Sequence, residues 1–445
     1  MPVDDDLLSR LRGTLASTPA STPRGLVRSL TGLAVRAALP GARVGDVAII
    51  DRPASRGGPL DCEVVGFLDD GRPGGEVVLM PLGALSGVGP EDPVRLVASG
   101  ASLRVDEGWL GRVVDGLGRP IDGLGALSVG REAPIDRRPP GPLERRPIER
   151  ALPTGVRAID ALLTLAEGQR VGLFAGSGVG KSTLLGAITR GTTADVVVVA
   201  LVGERGREVS EFLDHALGPE GRRKSVVVVA TSDAAALERL RAAQVATAIA
   251  ERFREDGRRV LLLVDSITRY ARAQREVGLA AGEPPARRGY PPSAFAILPR
   301  LLERAGNGAR GSITAIYTVL IEGGDMEEPI ADEVRGILDG HIVMDRAIAS
   351  RGRYPAIDVA ASLSRVMESV VSKEHAAAAR RLRALVGAYE QKRDLMAIGA
   401  YKKGGDVELD DAVARMPKIE AFLRQDPREP SAFDAAVAQL AALVK

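Results

Sequence analysis

A glycine-rich segment at residues 175–182, Ala-Gly-Ser-Gly-Val-Gly-Lys-Ser, carries the clearest chemical signal in this chain. It follows an apolar run and precedes a helical stretch, which is the strand–loop–helix context of a phosphate-binding loop. Glycines allow successive backbone N–H groups to turn towards phosphate oxygens, and the helix N-terminus adds a favourable dipole. The segment therefore predicts binding of a nucleoside triphosphate, with contacts from Gly176, Ser177, Gly178, Val179, Gly180, Lys181, Ser182 and Thr183.

Two residues at the end of this segment have side chains suited to a triphosphate and its metal ion. We expect Lys181 to reach the β- and γ-phosphates and the hydroxyl of Ser182 to ligate Mg²⁺. The usual pattern has glycine where this chain has Ala175, a change that requires only a modest adjustment of the backbone. A glycine-rich turn without a ligand is the alternative interpretation.

An aspartate follows a second apolar run, downstream of the glycine-rich segment. Asp265 comes directly after residues 260–264, where ATP hydrolysis needs a carboxylate that holds the Mg²⁺ shell through Ser182 or through water. Asp265 and Ser266 also precede a helical stretch, so a helix N-cap is the structural alternative. One residue can serve both purposes.

A charged segment follows the apolar run 196–202 at the end of another predicted strand. Hydrolysis needs a group that orients or deprotonates water, and Glu204 is the candidate for this catalytic base. Arg205 is the candidate for a cation on the γ-phosphate side. A charged surface turn is the alternative, because Glu and Arg ordinarily occupy solvated loops.

The composition limits the class of protein. A chain of 445 residues predicts two or three domains. A net charge of +2 with 3% aromatic residues lacks the overall positive charge that is typical of nucleic-acid-binding proteins. The single Cys62 cannot form an intrachain disulfide, and the three histidines lack zinc-site spacing. No apolar run approaches the roughly 18 residues that span a bilayer, and the acidic N-terminus lacks a signal-peptide core. We therefore expect a soluble, cytoplasmic chain.

The pattern of apolar runs predicts three structured regions after a mobile tail at residues 1–24. Short β-rich runs at 44–50, 62–68, 76–80 and 94–97 predict a β-barrel over 25–97. Apolar strands alternating with helices predict an α/β region over 98–365, whose parallel sheet binds ligand at the carboxyl ends of its strands. Five strands are expected there, at 171–174, 196–202, 226–230, 260–264 and 313–320.

Residues 366–445 are predicted to be helical. Leu382, Leu385, Val386 and Tyr389 have the i, i+3, i+4, i+7 spacing of one amphipathic helix. A second helix is expected to end before Pro417, and a third, short one to carry Phe422 and Leu423.

Several motifs together resemble the type III secretion ATPases, the hexameric motors of the bacterial injectisome and of the flagellar export apparatus. The residues that carry this resemblance lie at 174–183, 202–208, 261–270 and 282–292, and it extends over about 25–425. The family is related to the catalytic subunit of the rotary ATP synthase. It implies an N-terminal β-barrel that builds the ring, a RecA-like P-loop nucleotide domain and a C-terminal helical domain.

The resemblance also implies residue roles. Lys181, Ser182, Glu204 and Asp265 match the family's phosphate-loop, catalytic and magnesium-side residues, and Arg365 matches the arginine finger that enters the next subunit's site. Tyr354 matches an aromatic that stacks near adenine. Phe422 is expected to share that pocket, with a core position as the alternative for both aromatic residues.

The function implied by the resemblance is ATP-driven release of chaperones from export substrates, and unfolding of those substrates at the mouth of the export gate. The implied partners are further copies of the chain in a homohexamer, a central stalk protein, a peripheral regulator at the N-terminal region and chaperone–substrate complexes. The location would be the cytoplasmic face of the inner membrane, with peripheral membrane association only and no nucleic acid. Lys402 and Lys403 are candidates for stalk or substrate contact, against a simple solvated loop.

Segments 229–233, 324–332 and 371–375 are more similar to the injectisome branch than to the flagellar one. Three other classes of nucleotide-binding ring protein are alternatives. A noncatalytic ring subunit would lack Glu204, and an RNA translocase would need stacking aromatics, whereas residues 32–97 hold only Phe67. The catalytic subunit of a rotary synthase shares the predicted active site and is the least favoured alternative.

Overall fold

The computed structural model describes residues 24–68, 76–99, 102–397 and 401–445. The chain forms two compact units, residues 1–100 and residues 101–445. The predicted mobile tail lies outside the described residues, except for Arg24, which begins the first strand. The predicted domain boundaries, between residues 97 and 98 and between residues 365 and 366, stay predictions.

The first unit contains a closed barrel of six strands, in the order β1-β2-β5-β4-β3-β6. Inward-facing residues such as Val35, Ile50 and Leu79 are buried in its core. The predicted barrel is therefore confirmed. A short 3-10 turn lies at Ala54–Arg56. The strands are β1 Arg24–Thr31, β2 Ala34–Ala38, β3 Asp46–Ile50, β4 Leu60–Leu68, β5 Glu76–Pro81 and β6 Pro93–Ser99.

The first two strands of the barrel were not predicted. In β1 only Val27 is buried, and the exposed Leu26 and Leu30 interrupt the alternation of apolar and polar residues that marks a half-buried strand. Hydrogen-bonded pairing with β2 and β6 holds this strand in place despite its weak pattern.

The second unit is built on a nine-stranded sheet in the order β17-β16-β10-β15-β13-β11-β12-β8, with β14 pairing to β15. Only β14 and β17 run antiparallel to their neighbours, so the predicted parallel sheet is confirmed. A separate ribbon joins β7 and β9. The strands are β7 Ser102–Val105, β8 Val113–Asp115, β9 Arg131–Pro134, β10 Arg170–Ala175, β11 Val196–Glu204, β12 Ser225–Thr231, β13 Arg259–Asp265, β14 Gly306–Asn307, β15 Ser312–Leu320, β16 Gly340–Met344 and β17 Ile357–Ser364.

Helices pack against this sheet, and a π-helical segment occupies Phe212–Leu217. Single 3-10 turns lie at Glu107–Trp109, Pro142–Glu144, Arg287–Gly289 and Glu322–Gly324. The α-helices are α1 Arg157–Leu162, α2 Lys181–Gly191, α3 Gly206–Glu211, α4 Gly218–Arg223, α5 Ala236–Glu255, α6 Ile267–Ala280, α7 Pro292–Leu302, α8 Pro329–Ile337, α9 Arg346–Ser350, α10 Met367–Val370, α11 Lys373–Gln391, α12 Arg393–Ala397, α13 Val407–Leu423 and α14 Phe433–Val444.

The sheet and the C-terminal helices share one hydrophobic core. Leu173 and Val199 of the sheet belong to the same buried cluster as Leu385, Ile419 and Leu440 of helices α11, α13 and α14. This continuity matters for the site, because the helices are packed onto the nucleotide-binding sheet by burial of apolar surface rather than by the chain connection alone.

The predicted break at Pro417 is wrong. Helix α13 continues through Pro417 to Leu423, so the expected second and third helices are one. Interior proline removes one backbone hydrogen bond, but burial of Met416, Ile419 and Phe422 on the same helix compensates for that loss.

A buried ion pair fastens α5 to the chain just beyond α7. The guanidinium of Arg304 donates to both carboxylate oxygens of Glu251, at 3.0 and 2.7 Å, and to the carbonyl of Ile135 at 2.8 Å. The two side chains are only 4% and 3% exposed. The pair therefore lies where an unpaired charge would be costly.

Replacing Glu251→Ala should lower the free energy of unfolding by about 3–5 kcal/mol, because it leaves the Arg304 guanidinium buried without a counter-charge. Glu368→Ala is the matched control, since Glu368 pairs with Arg380 at the surface and its loss should cost at most about 1 kcal/mol. Urea denaturation measures both changes. Equal shifts for the two variants would contradict this account.

Candidate nucleotide site

The glycine-rich loop connects the end of β10 to the start of helix α2. Gly178 and Gly180 have φ angles of 78° and 90°, the left-handed region that glycine adopts without strain. A Cβ at Gly178 would meet no atom within 4 Å, so the loop leaves open space on that side. The buried Val179 anchors the loop in the core. The backbone N–H groups at the start of α2 and around the loop are placed to receive an anion.

The alanine at the start of the loop causes no distortion. Ala175 is the last residue of β10 and pairs in register with Leu320, and its carbonyl accepts from Ile321 N at 3.2 Å. Because this position is extended strand, it does not need the conformational freedom of glycine. A further contact not predicted from the sequence steadies the loop, since Arg346 donates to the carbonyl of Ser177 at 3.1 Å.

Three predicted residues meet at the carboxyl edge of the sheet. Glu204 and Asp265 end the neighbouring strands β11 and β13, and Lys181 begins α2. The Lys181 ammonium contacts Asp265 and lies 3.3 Å from Glu204 Oε1. All three side chains are nearly buried: the exposed fraction is 12% for Lys181, 3% for Asp265 and 8% for Glu204. The parallel register of the sheet thus brings residues 84 positions apart into one charged cluster.

Two members of this cluster were not predicted. Arg269 on α6 forms an ion pair with Glu204 Oε1 at 2.5 Å, and the buried Thr318 hydroxyl donates to Asp265 Oδ1 at 2.7 Å. Ser266 caps α6 by accepting from Arg269 N at 3.3 Å. The one sequence signal for Arg269 was its place on the first turn of the helix after Asp265, which puts it at the same edge of the sheet.

The cluster sets the charge of its members. Burial raises the pKa of Glu204, but a hydrogen bond with Glu208 and the charges of Lys181 and Arg269 outweigh burial and lower that pKa to about 2. The same hydrogen bond raises the pKa of Glu208. Burial lowers the pKa of Lys181, but the carboxylates of Asp265 and Glu204 outweigh it and raise that pKa. Near neutral pH, Glu204 is therefore a carboxylate and Lys181 a cation.

The ligand set suits Mg²⁺ bound together with phosphates. Ser182 exposes its hydroxyl beside the loop, and Asp265 supplies a carboxylate whose Oδ1 is already bonded to Thr318. Among the described residues no group of three or more His, Cys, Asp and Glu side chains could hold a metal ion. Mg²⁺ commonly takes one or two protein oxygens and completes its shell with phosphate and water, so this small set fits.

A pocket of about 300 Å³ adjoins the loop on the side of Tyr354. The Tyr354 side chain lines this pocket and is 45% exposed, and a Cβ at Gly180 would lie 3.6 Å from its ring. Phe422 does not line the pocket. It is buried in the hydrophobic core with the Arg157 guanidinium 5.6 Å from its ring centroid, so it occupies the core position that was the alternative.

The two predicted arginines are exposed residues that follow the ends of strands β11 and β17. Arg205 is exposed at the start of α3, with its guanidinium 3.4 Å from Glu208. Arg365 follows β17 and is exposed, and its backbone N–H donates to the Asp339 carbonyl at 3.0 Å. A third arginine, Arg269, forms the ion pair with Glu204.

Within the described residues, no helix is both long and apolar enough to cross a membrane.

Two family models match the chain. Residues 155–364 match the nucleotide-binding domain of the ATP synthase alpha/beta family. Residues 371–442 match the C-terminal domain of the type III secretion ATPase EscN. These two ranges cover strands β10 to β17 with the charged cluster, and nearly all of helices α11 to α14.

Curated relatives and a solved structure agree with these models. The chain is 49% identical to a type 3 secretion system ATPase of Sinorhizobium fredii, covering 98% of this chain and 95% of that protein. It is 48% identical to a flagellum-specific ATP synthase of Bacillus subtilis, covering 94% of each. The assembled ATPase EscN of enteropathogenic E. coli, solved in complex with its central stalk EscO, matches with a TM-score of 0.86 at 46% identity, covering 95% of this chain and 100% of that one. The chain, whose glycine-rich loop adjoins a buried charged cluster, therefore belongs to the family of type III secretion and flagellar export ATPases, which bind and hydrolyse ATP.

Proposed function

We propose that this chain is the motor of a bacterial type III protein export apparatus, in which a homohexameric ring couples ATP hydrolysis to release of chaperones from export substrates and to unfolding of those substrates. The observation that carries the proposal is the buried cluster of Lys181, Glu204 and Asp265 beside the loop. It combines a phosphate-binding cation with an ionised carboxylate, which are the groups that hydrolysis of a triphosphate needs.

Each residue of the cluster has a distinct task in this proposal. Lys181 and the N-terminus of α2 bind the phosphates. Glu204 orients the attacking water and accepts its proton, and Arg269 holds the Glu204 carboxylate in place through its ion pair. Ser182 and Asp265 would hold Mg²⁺, which supplies positive charge against the phosphate oxygens when bound. Thr318 fixes the orientation of Asp265 through its hydrogen bond.

The position of Arg365 supports a ring in which each site is shared between two subunits. Strand β17 runs antiparallel to β16, and Ser364 pairs with Gly340, the first residue of β16. Met344, the last residue of β16, pairs with Ala175 at the start of the glycine-rich loop. Four residue steps along a strand are about 13 Å, so Arg365 lies far from the loop of its own chain. We infer that Arg365 serves the site of a neighbouring subunit, while the exposed Arg205 lies nearer its own site.

The remaining partners are part of the same proposal. EscN, which is similar along its whole length, is described as assembled and in complex with a central stalk. We infer a central stalk for this chain as well, together with a regulator at the N-terminal region, chaperone–substrate complexes and the export gate. The location would be the cytoplasmic face of the inner membrane, with peripheral association only and without nucleic acid.

The injectisome branch is our choice between the two export systems. Relatives from both systems are about equally similar, at 49% and 48% identity, so the choice depends on the injectisome-like segments 229–233, 324–332 and 371–375. Deleting the gene in the source bacterium decides the question. Loss of effector secretion with normal motility supports the injectisome, and loss of flagella with normal effector secretion overturns it in favour of flagellar export.

Glu204→Gln should reduce ATP turnover at least about 100-fold while nucleotide binding persists, because it removes the base but leaves the loop intact. Lys181→Ala should weaken both, because it removes the cation that binds phosphate. Phosphate release measures turnover, and equilibrium titration with a fluorescent ATP analogue measures binding. Wild-type turnover by the glutamine variant would remove Glu204 from the mechanism.

Arg365→Ala should reduce turnover by about 10³-fold or more in assembled rings, and an equimolar mixture with Glu204→Gln should recover activity. In mixed rings an intact Glu204 on one subunit meets an intact Arg365 on the next. Each variant alone at the same total concentration is the control. A mixture that forms mixed rings and yet stays as inactive as its components would show that Arg365 does not act across the interface.

Three contacts join the described part of the segment around Lys402 and Lys403 to the start of helix α13 and to Lys392. Lys392 pairs with Asp406, and Asp410 accepts from the Tyr401 hydroxyl at 2.5 Å. The Gly404 N–H also donates to Asp410, at 2.7 Å. Lys402 and Lys403 are both exposed next to these contacts, so they present positive charge to a partner.

The double charge reversal Lys402→Glu with Lys403→Glu should abolish stimulation of ATPase activity by the cognate stalk protein and leave activity without stalk within about twofold of wild type. Attraction between an exposed basic tip and an acidic partner is lost when its sign is reversed. Lys418→Glu, an exposed lysine in the middle of α13, is the control. Unchanged stimulation in the double variant would reduce these lysines to solvated loop residues.

A further inference from the structure

The backbone that carries Arg365 is fastened close to the start of strand β10, at the end of that strand away from the glycine-rich loop. The Arg365 N–H donates to the Asp339 carbonyl at 3.0 Å, and Ser364 pairs with Gly340 of β16. Within the part of the chain that the structure describes, no hydrogen bond or ion pair holds the Arg365 guanidinium itself. The position of this side chain is therefore set by the backbone that carries it.

Gln169, the residue directly before β10, contacts both residues that hold this backbone. Its side chain is buried. Its Nε2 donates to the Ser364 hydroxyl at 3.1 Å and to the Asp339 carbonyl at 3.5 Å. Its Oε1 accepts from the Ala166 N–H at 3.0 Å. An amide has two N–H donors, and those of Gln169 are directed at the two residues that position Arg365.

The Ser364 hydroxyl adds a second connection to the same buried segment. It accepts from Gln169 and donates to the Thr164 carbonyl at 3.1 Å. Thr164 is itself buried, and its hydroxyl donates to the Asp160 carbonyl in helix α1 at 2.7 Å. A hydroxyl has a single donor, so the donor of Ser364 is fully used by this contact. Ser364 is thus tied to residues 164–169 at two points.

Asp339 is fixed by the first residue of β10. Arg170 donates to the Asp339 carboxylate from its backbone N at 3.0 Å and from Nε and Nη2 at 3.1 and 3.2 Å. The Asp339 N–H in turn donates to the Arg170 carbonyl at 2.9 Å. Charge-assisted hydrogen bonds of this kind are stronger than neutral ones and favour one geometry. The acceptor of the Arg365 N–H is therefore held in place by β10 as well.

Strand β16 approaches these groups closely at Gly340. A Cβ at this position would lie 2.5 Å from the Leu363 carbonyl oxygen and 3.4 Å from Gln169 Nε2. Glycine therefore allows the backbone of β16 to come this close to the contact between Gln169 and Ser364. The close approach leaves Ser364 no space to shift towards β16.

We propose that Gln169 and Ser364 are positioning residues for Arg365, which they hold in the orientation that the neighbouring subunit's site requires. The inference rests on the proposed role of Arg365 across the subunit interface. The six residues of β10 separate Gln169 from the glycine-rich loop of its own chain, a distance of about 20 Å in an extended strand. Loss of the contact between Gln169 and Ser364 therefore acts on the neighbour's site and leaves the site of its own subunit intact.

Ser364→Ala and Gln169→Leu each remove one side of this contact and should lower kcat about 10- to 100-fold in assembled rings, because a small misplacement of a catalytic group has an effect of this size. KM for ATP should change less than about threefold, since the loop is untouched. Ser362→Ala is the matched control. Ser362 is a buried serine of the same strand, and its hydroxyl bonds Val343 N and the Asp358 carbonyl instead. An equal loss of kcat in this control would contradict the proposal.

Mixed rings, assayed by phosphate release, decide in which site the defect lies. An equimolar mixture of Ser364→Ala with Glu204→Gln should recover turnover, because an intact Glu204 on one subunit then meets a correctly held Arg365 on the next. A mixture of Ser364→Ala with Arg365→Ala should stay as inactive as its components, since neither chain supplies a correctly placed arginine. A defect in the variant's own site or in its folding would give the reverse pattern, and that pattern overturns the proposal.

The mixture of Arg365→Ala with Glu204→Gln is the reference, and co-purification of differently tagged chains verifies that mixed rings form. If this reference does not recover turnover, the proposed action of Arg365 across the interface is wrong and the inference falls with it. If the reference recovers and the mixture of Ser364→Ala with Glu204→Gln does not, the inference alone is wrong. Gln169→Leu is taken through the same mixtures, and it decides the question if Ser364→Ala does not assemble.

Discussion

Burial of the Lys181 ammonium against two carboxylates is the interaction on which the rest of the site depends. Desolvating a carboxylate costs several kcal/mol unless a counter-charge and hydrogen bonds compensate. Glu204 and Asp265 end neighbouring strands and are nearly buried, so they need such partners. Lys181 serves both, while Arg269 adds a second cation at Glu204. The two cations balance the two carboxylates, and this balance stabilises an ionised Glu204 in a nearly buried site.

The sheet topology makes this balance possible. In parallel strands the carboxyl ends share one edge, and here β10, β15, β13 and β11 are consecutive neighbours in the sheet. The loop after β10, Thr318 in β15, Asp265 at the end of β13 and Glu204 at the end of β11 therefore lie along the same edge of the sheet. The antiparallel β17 is the exception, and it carries Arg365 towards the opposite edge. The direction of each strand thus explains why Glu204 and Asp265 lie beside the loop and why Arg365 lies at the opposite edge of the sheet.

Much of this arrangement could be predicted from the sequence, because its signals are local. The glycine-rich loop, the valine-rich strands and the carboxylates that follow them are all read from short windows, and the resulting parallel sheet is confirmed. Arg269 and Thr318 were missed because only the pairing of strands distant in sequence brings them to Glu204 and Asp265. Helix α13 passes through Pro417 because its burial in the core outweighs a local rule.

The two aromatic candidates show the same limit. A core position was the alternative for both Tyr354 and Phe422, and only the tertiary packing distinguishes the half-exposed ring on a pocket wall from the buried ring in the core. The different environments of the two rings follow from where helix α13 ends. Phe422 is on the inner face of its last turn, and the chain beyond it turns so that Gln425 reaches Tyr354 and Gly155.

Helix α13 consequently belongs to the nucleotide site as much as to the C-terminal helices. Near its C-terminal end, Glu420 lies 3.5 Å from the buried Arg353, the neighbour of Tyr354. At its other end, Asp406 caps the helix and fixes the tip that carries Lys402 and Lys403. Seventeen helical residues separate these ends by about 25 Å. Because the helix is packed in the same core as the sheet, the shape of the pocket depends on the placement of the whole helix, including the end that bears the basic tip.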